Sequence, residues 1–184
     1  MAGFVKKVLQ RNHFVTKLGF LDIKFSQEEV KTLCDAIKLR NAEGQPINGL
    51  ALADCFDDGL DTPTLKMILT SITSGTTKAV ELNLYRNGMS SREAAVIAEF
   101  LNSNPSLARL RLDDNQFDDA DAAVLANSLS SNTHLRHILF KHNGIKENGR
   151  LAFLRSVIDV SSLTSCAAPT YPNDTGQMQT WLNE

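Results

Sequence analysis

The sequence lacks the features that mark several common classes of protein. Its 184 residues contain three widely spaced cysteines, Cys34, Cys55 and Cys166, and no C-x-x-C pair. This argues against a disulfide framework or a zinc site and favours a reducing compartment such as the cytoplasm. No run approaches the roughly 18 consecutive apolar residues of a membrane span, so association with a membrane is disfavoured. A formal net charge of −2 provides no general attraction for nucleic acid.

Motifs that mark catalytic, nucleotide-binding or metal-binding sites are also missing. The chain has no GxxxxGK followed by Ser or Thr, and no GxGxxG, HExxH or GxSxG. The acidic stretch from Asp113 to Asp121 departs from a calcium-binding loop, because Phe117 occupies a place that needs an oxygen ligand. His137 and His142 are spaced poorly for one metal ion on a strand. We therefore expect no catalytic residue, no cofactor and no metal site.

What the sequence has instead is an internal repeat with a constant offset. AVELNLYRNGM starts at Ala79, LARLRLDDNQF at Leu107 and LRHILFKHNGI at Leu135, so the step from each copy to the next is the same. Every copy has apolar residues at its first, fourth, sixth and eleventh positions and Asn at its ninth. This L-x-x-L-x-L-x-x-N-x-L pattern is typical of a leucine-rich repeat, and the step lies within the usual period of about 20–29 residues.

The segments between the copies predict amphipathic helices. SSREAAVIAEFL and DDADAAVLANSL carry small or apolar residues at matching places, with the i, i+3, i+4, i+7 spacing of a buried helical face. Ser90 and Glu93 have the spacing of a capping box. Asp118 or Asp119 is suited to cap the next helix, whose dipole favours acidic residues at its start. A short strand followed by a helix is thus the predicted unit of the repeat.

Two weaker copies precede the clear ones. INGLALADC starts at Ile47, with Cys55 in the place of the ninth-position Asn, and LGFLDI starts at Leu18. In the first copy we expect Leu21 and Ile23 to face the core, and Phe20 and Phe25 to face outward. The predicted repeat starts are therefore residues 18, 47, 79, 107 and 135, and the solenoid spans residues 18–160.

The two ends are predicted to be caps. Residues 1–17 are expected to form a helical N-terminal capping segment. Its basic, partly amphipathic character also leaves open a targeting peptide or a membrane-surface helix. Residues 161–184 lose the period and are expected to form a C-terminal cap with Leu163 facing inward, followed by a mobile tail.

The repeats resemble those of a known family. Units of this length, with N-x-L followed by A-x-x-L-A-x-x-L and an Asn in the turn, are similar to the ribonuclease-inhibitor-like class of leucine-rich repeats. This class includes the repeats of tropomodulins, NOD-like receptors and the Ran GTPase-activating protein. The resemblance implies an α/β solenoid of about five repeats, with short parallel strands on a concave face and helices on a convex face. It also implies binding of other proteins as the function.

The ninth-position side chains are predicted to be structural. Asn87, Asn115 and Asn143 point into the core, where a buried amide must have hydrogen-bond partners. Stacked amides can donate to and accept from the backbone of adjacent repeats. Cys55 suits the same small buried site as a weak donor.

The candidate site lies on the outward-pointing strand positions, the third, fifth, seventh and eighth of each repeat. Neighbouring strands place Glu81 beside Arg109, Arg86 beside Asp114 and Asp113 beside Lys141. Arg111 has no acidic neighbour in its own row. The rows fit either a solvated face that neutralises itself or a mixed-charge docking surface. Gly49, Ala51 and Ala53 are expected to leave a shallow depression beside it. The candidate partner-binding residues are Glu81, Asn83, Tyr85, Arg86, Arg109, Arg111, His137 and Lys141.

Three functions fit the sequence. The first is a monomeric, non-enzymatic scaffold or regulatory adaptor that binds a partner protein. The second is a GTPase-activating protein or another regulator of a partner enzyme, which rests on analogy of fold alone. The third is a membrane-associated adaptor that uses the basic N-terminal helix.

Overall fold

Helices and strands alternate along the chain. The computed structural model describes residues 1–157, 163 and 165–167. The helices are α1 (Ala2–Arg11), α2 (Gln27–Ala42), α3 (Thr62–Thr73), α4 (Ser91–Asn102), α5 (Asp119–Leu129) and α6 (Glu147–Val157). The strands are β1 (Lys17–Leu21), β2 (Gly49–Ala53), β3 (Val80–Asn83), β4 (Leu107–Arg111), β5 (His137–Leu139) and β6 (Ser165–Ala167). Five strand–helix units, β1–α2 to β5–α6, therefore follow α1, as the repeat predicts.

The six strands form one parallel sheet in the order of the sequence. Each helix packs against the next along the chain, from α1 on α2 to α5 on α6. One core runs between the sheet and the helices for the length of these units. The prediction of an α/β solenoid with parallel strands and a separate layer of helices is thus confirmed. Each unit buries its apolar face only against its neighbours, which is how repeat proteins are stabilised.

The repeat positions account for the core. The fourth- and sixth-position side chains of the four units from β2–α3 to β5–α6, on the strands or directly after them, are fully or almost fully buried: Leu50, Leu52, Leu82, Leu84, Leu110, Leu112, Ile138 and Phe140. The intervening strand residues point to the opposite side of the sheet, because successive side chains on a strand alternate. We call that opposite side the strand face.

Helix starts follow the predicted capping chemistry. Ser90 and Glu93 form a capping box on α4. Asp118, and not Asp119, caps α5: its carboxylate accepts hydrogen bonds from the backbone of Ala120 and Asp121. In the acidic stretch that superficially resembles a calcium-binding loop, Asp118 and Asp121 therefore cap the N-terminus of α5.

The ninth-position residues form a ladder of buried amides. Asn115 Oδ1 accepts hydrogen bonds from the backbone N–H groups of Asn87 and Met89, at 3.0 and 3.1 Å. Its Nδ2 donates to three carbonyl oxygens, including that of Leu84, directly after β3, at 3.2 Å. Asn143 repeats the pattern, with Oδ1 accepting from the N–H of Phe117 at 3.1 Å. The prediction of a structural role for these residues is confirmed.

Cys55 occupies the same place in the second unit. Its Sγ donates to the carbonyl oxygens of Ala53 at 3.3 Å and Phe20 at 3.6 Å. Burial raises the pKa of the Cys55 thiol, so that it stays protonated and can donate. Burial likewise raises the pKa of Cys34, which lies on the buried side of α2.

These two thiols should be inert in the folded protein. Both are buried and free, and only the thiolate reacts with electrophiles. In a Cys166→Ser background we expect no labelling of Cys34 or Cys55 by a thiol reagent at mildly alkaline pH, and labelling of both in strong denaturant. Mass spectrometry counts the labels. Labelling of either residue at the same rate with and without denaturant would contradict the buried placement.

The first unit differs from its predicted register. β1 pairs with β2 so that Leu18 lies opposite Leu50 and Phe20 lies opposite Leu52. The first repeat therefore starts at Val15, three residues before the expected start at residue 18. Phe20 packs against the core instead of facing outward, while Leu21, expected inside, is 69 % exposed.

The prediction that Phe25 faces outward is also wrong. It is buried, and its ring meets that of Phe20 edge to face at 5.1 Å between centroids. Phe20, Leu21 and Ile23 are all apolar, so the hydrophobic pattern allows both registers. The backbone shows the alignment: the eighth position of each unit has a positive φ between 52° and 56°, at Asp22, Asp54, Arg86, Asp114 and His142.

The sheet continues one strand beyond the predicted solenoid. β6 pairs in parallel with β5, with Ser165 opposite His137 and Cys166 opposite Ile138. Each of these partners lies one full period further along the chain, so the repeat persists where the sequence suggested its loss. The signal is weak because Cys and Ala replace the larger apolar residues. The expected mobile tail lies outside the described residues.

Candidate functional site

The strand face of β3, β4 and β5 carries all eight candidate residues, on the strands or directly after them. The ladder aligns Glu81 with Arg109 and His137 as one row. The next row contains Asn83 and Arg111. Backbone hydrogen bonds continue past the strand ends, from Leu84 N to Arg111 O and from Asp114 N to Lys141 O. They place Tyr85, Asp113 and Lys141 in one row across the three neighbouring segments. Arg86 lies one residue beyond this row.

Tyr85, Arg111 and Asp113 form a connected group in the middle of this face. The guanidinium carbon of Arg111 lies 5.1 Å from the centre of the Tyr85 ring. Arg111 Nε donates to Asp113 Oδ2 at 2.5 Å. The other carboxylate oxygen, Oδ1, accepts from the backbone N–H of Lys141 at 2.7 Å. Both charged side chains are largely enclosed, since that of Asp113 is 5 % exposed and that of Arg111 16 %. We call these three residues the stacked triad.

Arg111 has no acidic neighbour in its own row, as expected, but it has one further along its own chain segment. This neighbour is Asp113, two residues further along the chain. Residues i and i+2 share one face of a strand, so they are neighbours as much as residues on adjacent strands are. The prediction of Asp113 beside Lys141 is correct in position, but the carboxylate reaches the Lys141 backbone.

A second contact was missed altogether. Lys17 Nζ reaches Glu81 Oε2 at 2.9 Å, two strands away. The Lys17 side chain crosses Gly49, where an added Cβ would lie only 2.8 Å from its Cγ. The depression expected at Gly49, Ala51 and Ala53 is therefore partly filled. Lys17 was assigned to the capping segment because the first unit was placed three residues too late.

Arg86 joins a charged group at the end of β2. Its Nε lies 3.5 Å from Asp54 Oδ2 on the strand before, in place of the expected Asp114 on the strand after. Asp54 also accepts from Lys24 Nζ at 2.8 Å. This hydrogen bond raises the pKa of Lys24 and lowers that of Asp54. Both groups are accessible to solvent, so the contact fixes side-chain positions more than it stabilises the fold.

Two titratable groups of the face are neutral at neutral pH. Burial raises the pKa of the Tyr85 phenol. Burial, together with the charges of Arg109 and Arg136, lowers the pKa of His137 from 6.5. His137 therefore offers a neutral ring with hydrogen-bonding nitrogens, and the positive charge of the face comes from Arg and Lys side chains.

The described part of the chain contains no group of three or more His, Cys, Asp or Glu residues placed to hold a metal ion. Within the same residues no helix is both long and apolar enough to cross a bilayer.

Comparison with known proteins gives distant structural similarity only. No family model and no curated protein sequence matches this chain. Among solved structures, the chain is similar to leiomodin-1 actin-binding site 2, with a TM-score of 0.48 and 12 % identity over 91 % of this chain and 78 % of that one. It is also similar to the tropomodulin C-terminal domain of Caenorhabditis elegans, with a TM-score of 0.46 and 14 % identity over 94 % and 84 %. The assignment of the solenoid rests on the strand pairing described above.

Proposed function

We propose that this protein is a non-enzymatic interaction module, a scaffold or regulatory adaptor, that binds a partner protein on the strand face. The observation that carries the proposal is the stacked triad. Tyr and Arg are over-represented among residues that dominate binding energy, and here an Arg is stacked on a Tyr at the centre of an open sheet.

The triad is already ordered before any partner binds. Asp113 holds the Arg111 guanidinium, and the Lys141 backbone holds Asp113. Immobilising a flexible side chain on binding costs about 0.5–1.5 kcal/mol, which a side chain already held in place largely avoids. The face is therefore suited to a partner that packs on Tyr85 and bonds to Arg111.

The charged side chains around the stacked triad can rearrange when a partner binds. The Lys17–Glu81 pair is partly exposed, and such pairs stabilise a fold by about 0–1 kcal/mol. Rearranging them on binding therefore costs little. Glu81, Asn83, Arg109, His137 and Lys141 then form a polar rim around the triad, of the kind that surrounds the core of protein interfaces.

We include three further assignments in this proposal. The solenoid belongs to the ribonuclease-inhibitor-like class, on the basis of its repeat length and its Asn ladder. The protein is a monomer. It acts in the cytoplasm, where the free thiols of Cys34 and Cys55 would remain reduced. Light scattering that gives the mass of a dimer would contradict the second assignment.

Substitution of the triad tests the proposal. We expect the double variant Tyr85→Ala, Arg111→Ala to lower the recovery of specific partners by about tenfold or more, equivalent to at least about 1.4 kcal/mol of binding energy. Partners are recovered on immobilised protein from a cell extract and quantified by mass spectrometry. Circular dichroism establishes that the variant is folded.

The matched control removes an exposed pair on the helix side. Lys66 and Glu99 lie 3.7 Å apart on α3 and α4, and Lys66→Ala with Glu99→Ala should leave recovery unchanged. If every protein recovered by the wild type is recovered equally by the triad variant, the strand face is not the binding surface.

A further inference from the structure

The first strand has an open edge. β1 pairs with β2, and no other strand of the described chain lies beside it. Thr16 O accepts from Gly49 N, and Asp22 N donates to Ala53 O. Peptide groups of a strand alternate in direction, so the even-numbered residues of β1 bond to β2. The N–H and C=O groups of Lys17, Gly19 and Leu21 therefore point away from the sheet.

The core beneath this edge is incompletely covered. The core-facing residues of the first unit are only partly buried: Val15, Leu18, Phe20 and Ile23. Their counterparts in the second unit are at most 2 % exposed: Ile47, Leu50, Leu52 and Cys55. The difference has a simple cause, because α1 extends the helix layer by one unit while the sheet ends at β1. The described chain therefore has no strand beside β1 to fill the space under α1.

One side of α1 borders this space. Val5 and Leu9 are buried against α2, and Lys6 lines a groove between α1 and α2 together with residues of α2. The 3.6-residue period of the helix then places Phe4, Val8 and Arg11 on the other side, toward the open end. Phe4 is 69 % exposed.

The same end is positively charged. α1 contains Lys6, Lys7 and Arg11 and no acidic residue. Within the described chain, none of the ion pairs involves Lys7 or Arg11. Phe14, in the turn that leads to β1, is 95 % exposed. The end of the solenoid thus combines open backbone groups, uncovered apolar side chains and cations.

We propose that an extended segment of a partner protein adds to the sheet beside β1. Its backbone pairs with Lys17, Gly19 and Leu21, as in other complexes formed by strand addition. Apolar side chains at alternate positions complete the core over Leu18 and Phe20. Acidic side chains at the two ends of the segment, beyond the paired residues, meet Lys7 and Arg11. This surface is separate from the stacked triad, so each proposal can fail without the other.

Two other occupants fit less well. A lipid surface would match the cations and exposed Phe residues, but hydrocarbon leaves an open strand edge without hydrogen-bond partners. A second copy paired through β1 would provide those partners, but it would also bring two acid-free α1 helices together, and like charges repel. An acidic, partly apolar strand satisfies the backbone, the core and the charge.

The test uses a fluorescein-labelled peptide in which about seven residues of alternating Val and Thr, close to the usual length of a strand, are flanked by Glu on both sides. We expect saturable binding by fluorescence anisotropy, and slower hydrogen exchange at the amides of Gly19 and Leu21. Gly19→Pro removes the central outward N–H without affecting a bond to β2, and should weaken binding about tenfold or more. Gly19→Ala keeps that N–H, and its Cβ would meet only Ala51 Cβ at 4.0 Å, so binding should be unchanged.

The charge contribution has its own pair of variants. Lys7→Glu with Arg11→Glu should weaken peptide binding, whereas Lys78→Glu with Arg92→Glu, the same change in net charge at exposed sites elsewhere, should not. Equal binding by Gly19→Pro and Gly19→Ala overturns the proposal. So does binding to phosphatidylserine vesicles without binding to the peptide, which indicates a membrane. A dimer that Gly19→Pro converts to a monomer also overturns it and indicates a second copy.

Discussion

Replacing Asn115 with Ala should lower the free energy of unfolding by about 4 kcal/mol. The Asn115 side chain is buried and makes five hydrogen bonds, two as acceptor and three as donor, all with backbone groups. Ala leaves the N–H groups of Asn87 and Met89 without these partners. A buried group that loses its partner costs about 1–3 kcal/mol, and relaxation recovers part of the sum. Urea denaturation followed by circular dichroism measures the change.

The control lies on the helix of the same repeat. Asn127 is exposed on α5, and Asn127→Ala should change stability by less than about 0.5 kcal/mol, as is usual for surface substitutions. A similar small effect of Asn115→Ala would mean that water replaces the amide, and that the ladder is not what joins neighbouring repeats.

The repeated residues are what made the fold predictable. Leu82, Leu110 and Ile138 occupy one place in three copies, so a single offset fixes the strand order, the parallel pairing and the buried side of every strand. The helix layer follows from the same offset, since it also separates Ala94 from Ala122. A repeat gives this information because each unit contacts only its neighbours.

The predicted register of the first unit is wrong because the pattern of apolar residues there is ambiguous. Three of the four residues from Phe20 to Ile23 are apolar, so the pattern alone does not distinguish the correct register from one shifted by three residues. The backbone of Asp22 identifies the correct register, because its positive φ matches that of Asp54 at the eighth position of the next unit. Asp tolerates this conformation better than most residues do, but Arg86 adopts it too, so residue type is a weak guide.

The strand face was predictable in position but not in its contacts. The register places Glu81, Arg109 and His137 in one row, as the repeat requires. Which charges pair depends on side-chain reach. Lys17 crosses a whole strand to Glu81 because Gly49 has no side chain in the way. A long flexible cation next to a Gly can reach along its row past the adjacent strand, and pairing only the nearest neighbours does not predict such a contact.

Arg40 is a residue whose role no sequence pattern indicated. It lies in the last turn of α2 and is 2 % exposed. Its Nη1 donates to the carbonyl oxygens of Leu9 at 2.8 Å and Asn12 at 2.9 Å. Its Nη2 donates to those of His13 and Val15, both at 3.2 Å. One guanidinium therefore satisfies the end of α1 and the turn that leads to β1.

Replacing Arg40 with Ala should lower the free energy of unfolding by about 3 kcal/mol and loosen α1 selectively. Hydrogen bonds to a charged group contribute about 1.5–3 kcal/mol each, and a cation at a helix C-terminus also offsets the helix dipole. The net loss of stability is smaller than the sum of these contributions, because Arg40→Ala also removes the unfavourable free energy of burying a charge. Hydrogen exchange should accelerate at the amides of Val5 and Leu9 far more than in the middle of the sheet.

Arg40→Lys separates the contribution of charge from that of geometry. Lysine keeps the positive charge but has one nitrogen in place of the planar fork that reaches four carbonyl groups. We expect Arg40→Lys to lower the free energy of unfolding by about 2 kcal/mol, which leaves it less stable than wild type and more stable than Arg40→Ala. The amides of α1 should still exchange faster than those of the sheet. Arg92→Ala, at an exposed position on α4, should leave both measurements unchanged. Uniform acceleration across all helices in Arg40→Ala would show that Arg40 stabilises the whole solenoid, and that α1 is not held by this side chain in particular.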